Sequence, residues 1–227
     1  MPRQIVNFIA SFNKLRQGEL LKLRYQLELQ GRQLQQLSTQ FMLEKDYLTS
    51  DSRIRNELNQ AEFSIFSQNG EDGILLKIFS LIGVANQTFV EFGIGNGRQC
   101  NTANFSINFG WKGLLMEASE QNVIAAKRYY KTKLGKQLNN VQVECYEITP
   151  ENINALLNRH GINGEVDLLS IDIDSHDYWV WGAITAISPR VVVIEYNASL
   201  GVEKALTVPY NPQFHQVYKT APRLYHG

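Results

Sequence analysis

A glycine-rich turn in the first half of the chain carries the residue types best suited to ligand chemistry. Gly93, Gly95 and Gly97 alternate along it, and Glu91 lies two residues before the first of them, at the end of a short apolar run. Glycine has no Cβ and tolerates positive φ, so such a turn lets the backbone approach a ligand closely. A carboxylate at this point would repel a phosphate group, whereas it suits a ligand that carries positive charge.

A second carboxylate, Glu117, follows the turn at a spacing of about 20 residues, which places it to accept hydrogen bonds from two ribose hydroxyls. A dinucleotide fingerprint of the form G-x-G-x-x-G that starts at Gly93 needs a third glycine at position 98, and Arg98 stands there instead. These residues favour S-adenosylmethionine, a nucleoside that carries ammonium and sulfonium groups. A nicotinamide-dependent oxidoreductase is the weaker interpretation.

Polar side chains gather where the fourth and fifth predicted strands end. Asp172, Asp174 and His176 follow the fourth strand, and Glu195 and Asn197 end the fifth. Methylation of a hydroxyl group needs a base to take its proton, and the first three residues are the nearest candidates. His176 is the best single candidate because its unperturbed pKa lies near neutral pH, with an exposed loop histidine as the alternative. The carboxylates and Asn197 also offer oxygen ligands to a divalent cation, which is the weaker use of these residues.

The elements that must position these residues alternate along the chain. Runs of Val, Ile and Leu separated by helices indicate a parallel sheet covered on both faces. We predict an α/β fold with a Rossmann-like, mostly parallel sheet of strand order 3-2-1-4-5. The strands are expected at 88–92, 113–117, 141–146, 167–172 and 190–196, and the helices at 74–82, 101–109, 120–134, 150–160 and 178–187. Turn residues at 67–72 begin the first helix, and Thr149 caps the fourth, with Pro150 at its first position.

Two parts of the sequence resemble a known family. Residues 90–97, VEFGIGNG, resemble motif I of class I S-adenosylmethionine-dependent methyltransferases. The stretches 166–174, 182–183 and 191–195 resemble the second half of FkbM-type methyltransferase domains, in which a strand ends in D-x-E/D and the next strand ends in Glu. The resemblance covers about residues 63–197.

The resemblance implies a role for several residues around a bound methyl donor. Glu91 and Gly93 would lie near its methionine moiety, Glu117 on its ribose, and Glu147 near its adenine. Class I methyltransferases ordinarily add two more strands after the fifth. Only about 30 residues, 198–227, follow it in this sequence, so the final strands are expected to be missing.

The N-terminal segment has the pattern of a coiled coil. Apolar residues recur at heptad spacing over about four heptads and occupy its a and d positions. They are Leu20, Leu23, Leu27, Leu34, Leu37, Phe41 and Leu48. We predict a helical extension at 1–48 that forms a homodimer, or else an amphipathic helix that folds back on the domain. A linker at 49–62 and the methyltransferase-like domain at 63–227 complete the predicted organisation.

Composition narrows the class of protein further. The chain has 227 residues, 44% of them hydrophobic, and a formal net charge of +0, so it lacks the basic footprint of a nucleic-acid-binding protein. No apolar run reaches the roughly 18 residues that a membrane span needs. Cys100 and Cys145 have no metal-binding spacing, and a reducing, cytoplasmic location is the expectation.

The leading functional prediction is methyl transfer from S-adenosylmethionine to a hydroxyl group of a small molecule or glycan, where the acceptor rests on family analogy. The alternative is an inactive, methyltransferase-like scaffold that oligomerises through its N-terminal helix, which the short C-terminal segment favours. Tyr178, Trp179 and Trp181 are expected to pack their helix against the core, and the alternative is a wall for the acceptor.

Overall fold

The computed structural model describes residues 58–174, 176–196 and 205–211. The predicted coiled coil at 1–48, most of the predicted linker and Asn197 lie outside these residues. Residues 58–60 are helical and Ala61 is buried. The carbonyl oxygen of Ala61 occupies the space where a side chain at Gly73 would stand. The packed part of the chain therefore includes residue 61, just ahead of the predicted start at 63.

Helices and strands alternate along the described chain. In chain order they are α1 (Glu71–Ile82), β1 (Thr88–Phe92), α2 (Ala103–Phe109), β2 (Lys112–Glu117), α3 (Glu120–Leu134), a 3-10 helix (Gly135–Asn140), β3 (Val141–Cys145), α4 (Ile153–Arg159), β4 (Gly164–Ile171), α5 (Asp177–Ala183) and β5 (Ile187–Ile194). None of the helices among the described residues is both long and apolar enough to cross a membrane.

The five described strands form one parallel sheet in the order β3-β2-β1-β4-β5, which confirms the predicted α/β fold and strand order. β1 lies in the middle, and Glu91 is paired with Leu115 of β2 on one side and with Ser170 of β4 on the other. The chain runs outward from β1 to β3 and then returns to continue through β4 and β5. Such a reversal next to β1 is where open α/β sheets bind their ligands, beyond the carboxyl ends of the strands.

The sheet separates two hydrophobic cores, and successive residues of β1 point into different ones. Phe89 packs with residues of α1, α2 and α3, whereas Val90 and Phe92 pack with residues of α4 and α5. Glu91 shares the face of Phe89, because side chains alternate along a strand. The three helices on that face therefore surround the only acidic side chain of β1.

A buried carboxylate fastens the amino-terminal end of the sheet, far from the strand ends that face the ligand. Asp167 in β4 accepts hydrogen bonds from the backbone N–H groups of residues 85, 86 and 87, at 2.7 to 2.9 Å. Arg190 of β5 donates to the same carboxylate at 2.6 Å and also to the carbonyl oxygens of Ile82 and Gly83. Burial alone would raise the pKa of Asp167, but these hydrogen bonds hold it below its usual value.

Replacing this carboxylate is expected to destabilise the domain strongly. Asp167→Ala leaves three backbone N–H groups without their acceptor and removes the ionic partner of Arg190, and breaking a buried ion pair in this way costs about 3–5 kcal/mol. Urea unfolding followed by circular dichroism measures the loss. Glu165→Ala, an exposed position two residues earlier in the same strand, is the matched control and should change little. A difference below about 1 kcal/mol between the two variants would contradict this role.

Several predicted boundaries differ from the structure, among them the start of the first helix, the end of the fifth helix and the start of the fourth strand, and two of the differences have a clear physical reason. The fourth helix begins at Ile153 with Asn152 as N-cap, and Thr149 is not its cap. The Asn152 side chain instead accepts from the Thr149 N–H at 2.9 Å, which closes a turn ahead of the helix. The fifth strand begins at Ile187 and includes Pro189, which the sequence interpretation placed before the strand. β5 is an edge strand of the described sheet, where a missing N–H is tolerated.

Candidate functional site

A pocket of about 420 Å³ opens at the carboxyl ends of β1, β4 and β5, next to the reversal of the chain. We call it the strand-end pocket. Its walls come from the start of α1 and the turn before it, from the end of β1 with Gly93, from the segment before α2, and from the ends of β4 and β5. The lining residues in these segments are Gln68, Asn69, Glu71, Glu91, Gly93, Gln99, Asn101, Ile171, Asp172, Val193, Ile194, Glu195 and Tyr196. This position is the one that the sheet order predicts for a ligand.

The three glycines of the turn have positive φ values of 73°, 52° and 78°, and two of them are also sterically required. A Cβ at Gly93 would overlap the carbonyl oxygen of Asp172 at the end of β4. A Cβ at Gly97 would come within 2.9 Å of the Ala126 side chain and 3.0 Å of the Tyr130 ring, both on α3. These two glycines therefore let the turn pack between β4 and α3.

Gly95 is different, because a Cβ added there meets no protein atom within 4 Å. Its N–H donates to the carboxylate of Glu117 at 2.8 Å, and the other oxygen of Glu117 accepts from the Ser119 N–H at 2.9 Å. The end of β2 is thus tied to the middle of the glycine turn. Open space over Gly95 beside a half-buried carboxylate suits the close approach of a nucleoside.

Glu91 is buried beneath the pocket, where it holds the start of α2. Its carboxyl oxygens accept from the backbone N–H groups of Asn101 at 2.8 Å and Thr102 at 3.0 Å, from the Thr102 hydroxyl at 2.5 Å and from the Ser170 hydroxyl at 3.3 Å. Burial raises the pKa of Glu91, and these hydrogen bonds oppose that shift. Both oxygens are engaged with the protein, so the residue has a structural task that the sequence did not reveal. Its contact with a cofactor stays a prediction.

A cluster of carboxylates closes the other side of the strand-end pocket. Ile171 and Ile194 are paired across β4 and β5, so Asp172 and Glu195, which follow them, lie side by side. Partial desolvation, together with Glu195, Asp174 and other nearby carboxylates, raises the pKa of Asp172 to about 7. Desolvation, together with Asp174 and Asp177, raises the pKa of Glu195, and a hydrogen bond with Asp172 opposes that shift. Asp172 is therefore poised to exchange a proton near neutral pH.

The same cluster has the geometry of the weaker, metal-binding alternative. Oxygen atoms of Asp172, Asp174 and Glu195 all lie within 4.8 Å of one another. Such a set of oxygen ligands fits a hard divalent cation, although exposed acidic groups are often this close without one. The fourth predicted ligand, Asn197, lies outside the described residues.

His176 is not among the residues that line the strand-end pocket. It is the N-cap of α5, and its ring packs against that of Tyr210 with the centroids 5.1 Å apart. Desolvation lowers the pKa of His176, whereas Asp177 and Glu151 raise it. Among the three predicted catalytic residues, Asp172 lines the strand-end pocket and His176 does not. The role of either residue as a base stays a prediction.

A second, apolar groove of about 570 Å³ runs along α5. Tyr178 and Trp181 contribute to its wall and are 51% and 43% exposed, so the expectation that they pack into the core is wrong. Val180, which is fully buried, anchors the helix instead. Trp179 donates from its indole N–H to the carbonyl oxygen of Val208 at 2.8 Å. This bond holds the segment 205–211 against the helix.

Glu147, which the resemblance places near the adenine, is an exposed residue beyond the end of β3. Its carbonyl oxygen accepts from the Asn152 side chain at 2.7 Å, which fixes the backbone of the loop. The adenine role stays a prediction.

The sequence interpretation missed one wall of the strand-end pocket. The turn at 67–72 was interpreted only as the start of a helix, yet the structure places Gln68, Asn69 and Glu71 at the pocket. A signal for this placement was available in the predicted fold. A helix that precedes a parallel strand and packs on it runs antiparallel to it, so the helix begins near the carboxyl ends of the strands.

No protein-family model matches the sequence, and no curated protein matches it either. Among solved structures, a SAM-dependent methyltransferase from Thiobacillus denitrificans in complex with S-adenosyl-L-homocysteine is 14% identical, with a TM-score of 0.33 over 61% of this chain and 49% of that chain. A S-adenosylmethionine-dependent methyltransferase from Clostridium acetobutylicum is 14% identical, with a TM-score of 0.37 over 60% and 52%. An O-methyltransferase from Bacillus cereus in complex with SAH is 14% identical, with a TM-score of 0.36 over 66% and 68%. The chain spans about half the length of the first two, and at this identity the likeness concerns the fold alone.

Proposed function

We propose that the domain transfers a methyl group from S-adenosylmethionine to a hydroxyl group. The observation that carries this proposal is the composition of the strand-end pocket. Acidic side chains line it, and no Lys or Arg is among the described residues of its wall. Such a wall favours a cationic ligand and disfavours a dinucleotide with its two phosphates.

The rest of the donor would extend from this pocket across the glycine turn. In this arrangement Glu117, beside the open space over Gly95, would accept hydrogen bonds from the ribose hydroxyls. Glu147 would lie beyond it towards the adenine, as the family resemblance implies. The donor supplies a methyl group that is already activated by its positive sulfur, so the protein has chiefly to align the two reactants.

Asp172 would act as the base for the acceptor hydroxyl. The hydroxyl oxygen forms the new bond to the methyl carbon, the carbon–sulfur bond breaks with its electron pair passing to sulfur, and the hydroxyl proton passes to Asp172. A base with a pKa of about 7 is well matched to this task near neutral pH. Desolvation is the largest cause of that raised pKa, and Glu195 and Asp174 raise it further by repulsion. The acceptor itself, a small molecule or a glycan, is proposed by family analogy.

Dimerisation through residues 1–48 remains part of the proposal on the strength of the heptad pattern alone. A cytoplasmic location is proposed because Cys100 and Cys145 are both free thiols, which suits a reducing compartment.

Calorimetric titration with S-adenosylhomocysteine tests the donor site directly. We expect the folded protein to bind it and Glu117→Gln to weaken binding about 10- to 100-fold, as expected when hydrogen bonds to a charged group are lost. Glu120→Gln, an exposed change at the start of α3, should bind as the wild type does. Folded wild-type protein that shows no binding heat at millimolar ligand would overturn the proposal.

A further inference from the structure

We propose that the turn at residues 67–70 recognises the carboxylate of the donor's amino acid end, through the side-chain amides of Gln68 and Asn69. This inference rests on the proposed function. It assigns a binding role to a segment whose sequence indicated only the start of a helix.

The charge of the pocket wall creates the need for such a group. The methionine end of the donor carries an ammonium, a sulfonium and one carboxylate. The wall offers Glu71, Asp172 and Glu195 to the two cations, whereas Glu91 lies buried beneath it with both oxygens already hydrogen-bonded. The same acidic side chains repel the carboxylate, which therefore needs hydrogen-bond donors that carry no negative charge.

Among the described residues of the pocket wall, the uncharged donors are amide side chains, backbone N–H groups and the hydroxyl of Tyr196, which follows the acidic Glu195 directly. Asn101 already donates through its side chain to the Ser170 hydroxyl at 3.1 Å. Gln68, Asn69 and Gln99 are exposed in the pocket wall. An amide NH₂ group carries two donors, so two such side chains can satisfy both oxygens of a carboxylate.

The turn that bears Gln68 and Asn69 is held in place before any ligand arrives. Asp72, which is fully buried, accepts from the backbone N–H groups of Ile65, Phe66 and Ser67 at 2.6 to 2.8 Å. The Ser67 hydroxyl in turn accepts from the Asp72 N–H at 3.0 Å. A preformed turn of this kind loses little further entropy on binding, which favours it over a side chain on a free loop.

An acidic partner for the ammonium group stands next to the amides. The Asn69 N–H donates to the carboxylate of Glu71 at 2.8 Å, which fixes that carboxylate beside the turn. Gly70 has a positive φ of 98°, and a Cβ at this residue would come within 3.0 Å of the Glu62 side chain. The turn therefore requires glycine at position 70. Amides for the carboxylate and Glu71 for the ammonium would together match both charges of the amino acid end.

Two probes that differ in that end test the proposal by calorimetry. S-Adenosylhomocysteine carries the amino acid end, and 5′-methylthioadenosine lacks it. We expect the near-isosteric double change Gln68→Glu and Asn69→Asp to weaken S-adenosylhomocysteine binding about 100-fold, because two amide donors become repelling carboxylates. Binding of 5′-methylthioadenosine should stay within about twofold of the wild type. Asn158→Asp, an exposed change on α4, is the control and should alter neither affinity.

Each result decides between the proposals. If the double variant loses affinity equally for both probes, the turn acts on the fold of the pocket. If its affinity for both probes is unchanged, other groups bind the carboxylate. Either result overturns this inference, and neither contradicts the proposed methyl donor site. A large loss on Gln99→Ala, with none on the double variant, also overturns it. Wild-type protein that binds neither probe overturns the proposed function, and this inference with it.

Discussion

Gly93→Ala is expected to abolish the folded state, whereas Gly95→Ala, two residues later in the same turn, is expected to fold and lose its ligand. At Gly93 a methyl group would overlap the backbone oxygen of Asp172, and backbone cannot move aside as a side chain can. The N–H of Gly93 also donates to the carbonyl oxygen of Met116 at 2.9 Å, so the turn is fixed from the opposite side as well. The loss should exceed about 4 kcal/mol, a large part of the stability of a domain.

At Gly95 the added methyl group meets no protein atom, so the cost is the strain of a positive φ alone, about 1–2 kcal/mol. The methyl group would stand in the open space next to Glu117, where a nucleoside would approach. We therefore expect a folded variant whose affinity for S-adenosylhomocysteine falls at least about 10-fold.

Thermal unfolding and calorimetry on the two variants separate these outcomes. Gly161→Ala is a suitable control, since it shares the positive φ and the lack of nearby atoms but lies in the loop before β4, away from the strand-end pocket. It should lose stability as Gly95→Ala does and bind the ligand normally. If Gly93→Ala unfolds cooperatively at a temperature near that of the wild type, the backbone at Asp172 can move to accommodate the methyl group. That result would contradict the rigid packing described above.

Asp172→Asn should have effects of opposite sign on activity and stability. The amide cannot accept the proton of the acceptor, so transfer of a labelled methyl group to a hydroxyl acceptor should fall about 100- to 10,000-fold. Affinity for S-adenosylhomocysteine should change much less. The wild-type rate should rise with pH and level off above about 7, where Asp172 is ionised.

The stability effect follows from the raised pKa. The folded state favours the protonated form of Asp172, because its pKa rises from 3.8 to about 7 on folding. Wild-type protein is therefore destabilised relative to Asp172→Asn as the pH increases from about 4 to about 7, and the deficit stays constant above that range. Melting temperatures of the two proteins at pH 5 and pH 8 measure this divergence.

Glu195→Gln is the matched comparison, because it keeps Asp172 and removes one neighbouring charge that raises its pKa. Activity should persist with its pH midpoint moved downward. If Asp172→Asn retains full activity while His176→Ala loses it, His176 is the base and the role assigned to Asp172 is wrong.

Most of the fold could be predicted because its signals are local. The helix at Glu120–Leu134 was predicted to the residue, since Ser119 caps its start and Gly135 ends it. The strands were recognisable as short apolar runs between turn residues. Errors arose where two local signals competed, as at Thr149 and Asn152, or where only the position in the sheet decides, as at Pro189.

The site was predictable only in part, because side-chain partners depend on the assembled fold. Spacing located the glycine turn and Glu117. It could not show that Glu91 turns inward to Asn101 and Thr102, since those contacts follow from the packing of α2. Nor could it bring Gln68 to the pocket, because that requires the direction of α1 relative to the sheet.

Because Glu91 is buried and hydrogen-bonded, the presence of the glycine motif in a related protein does not show that the relative is active. A residue that three hydrogen bonds tie to the start of α2 and a fourth ties to Ser170 of β4 is kept by selection for folding alone, so a descendant that had lost methyl transfer would still carry it. Asp172 and Glu195 are the reverse case, because desolvation and neighbouring carboxylates make their charged forms unfavourable in the folded state, so only use would preserve both. To distinguish active from inactive relatives of this domain, one should therefore compare the residues at the positions of Asp172 and Glu195. The glycine motif with Glu91 would not separate the two groups.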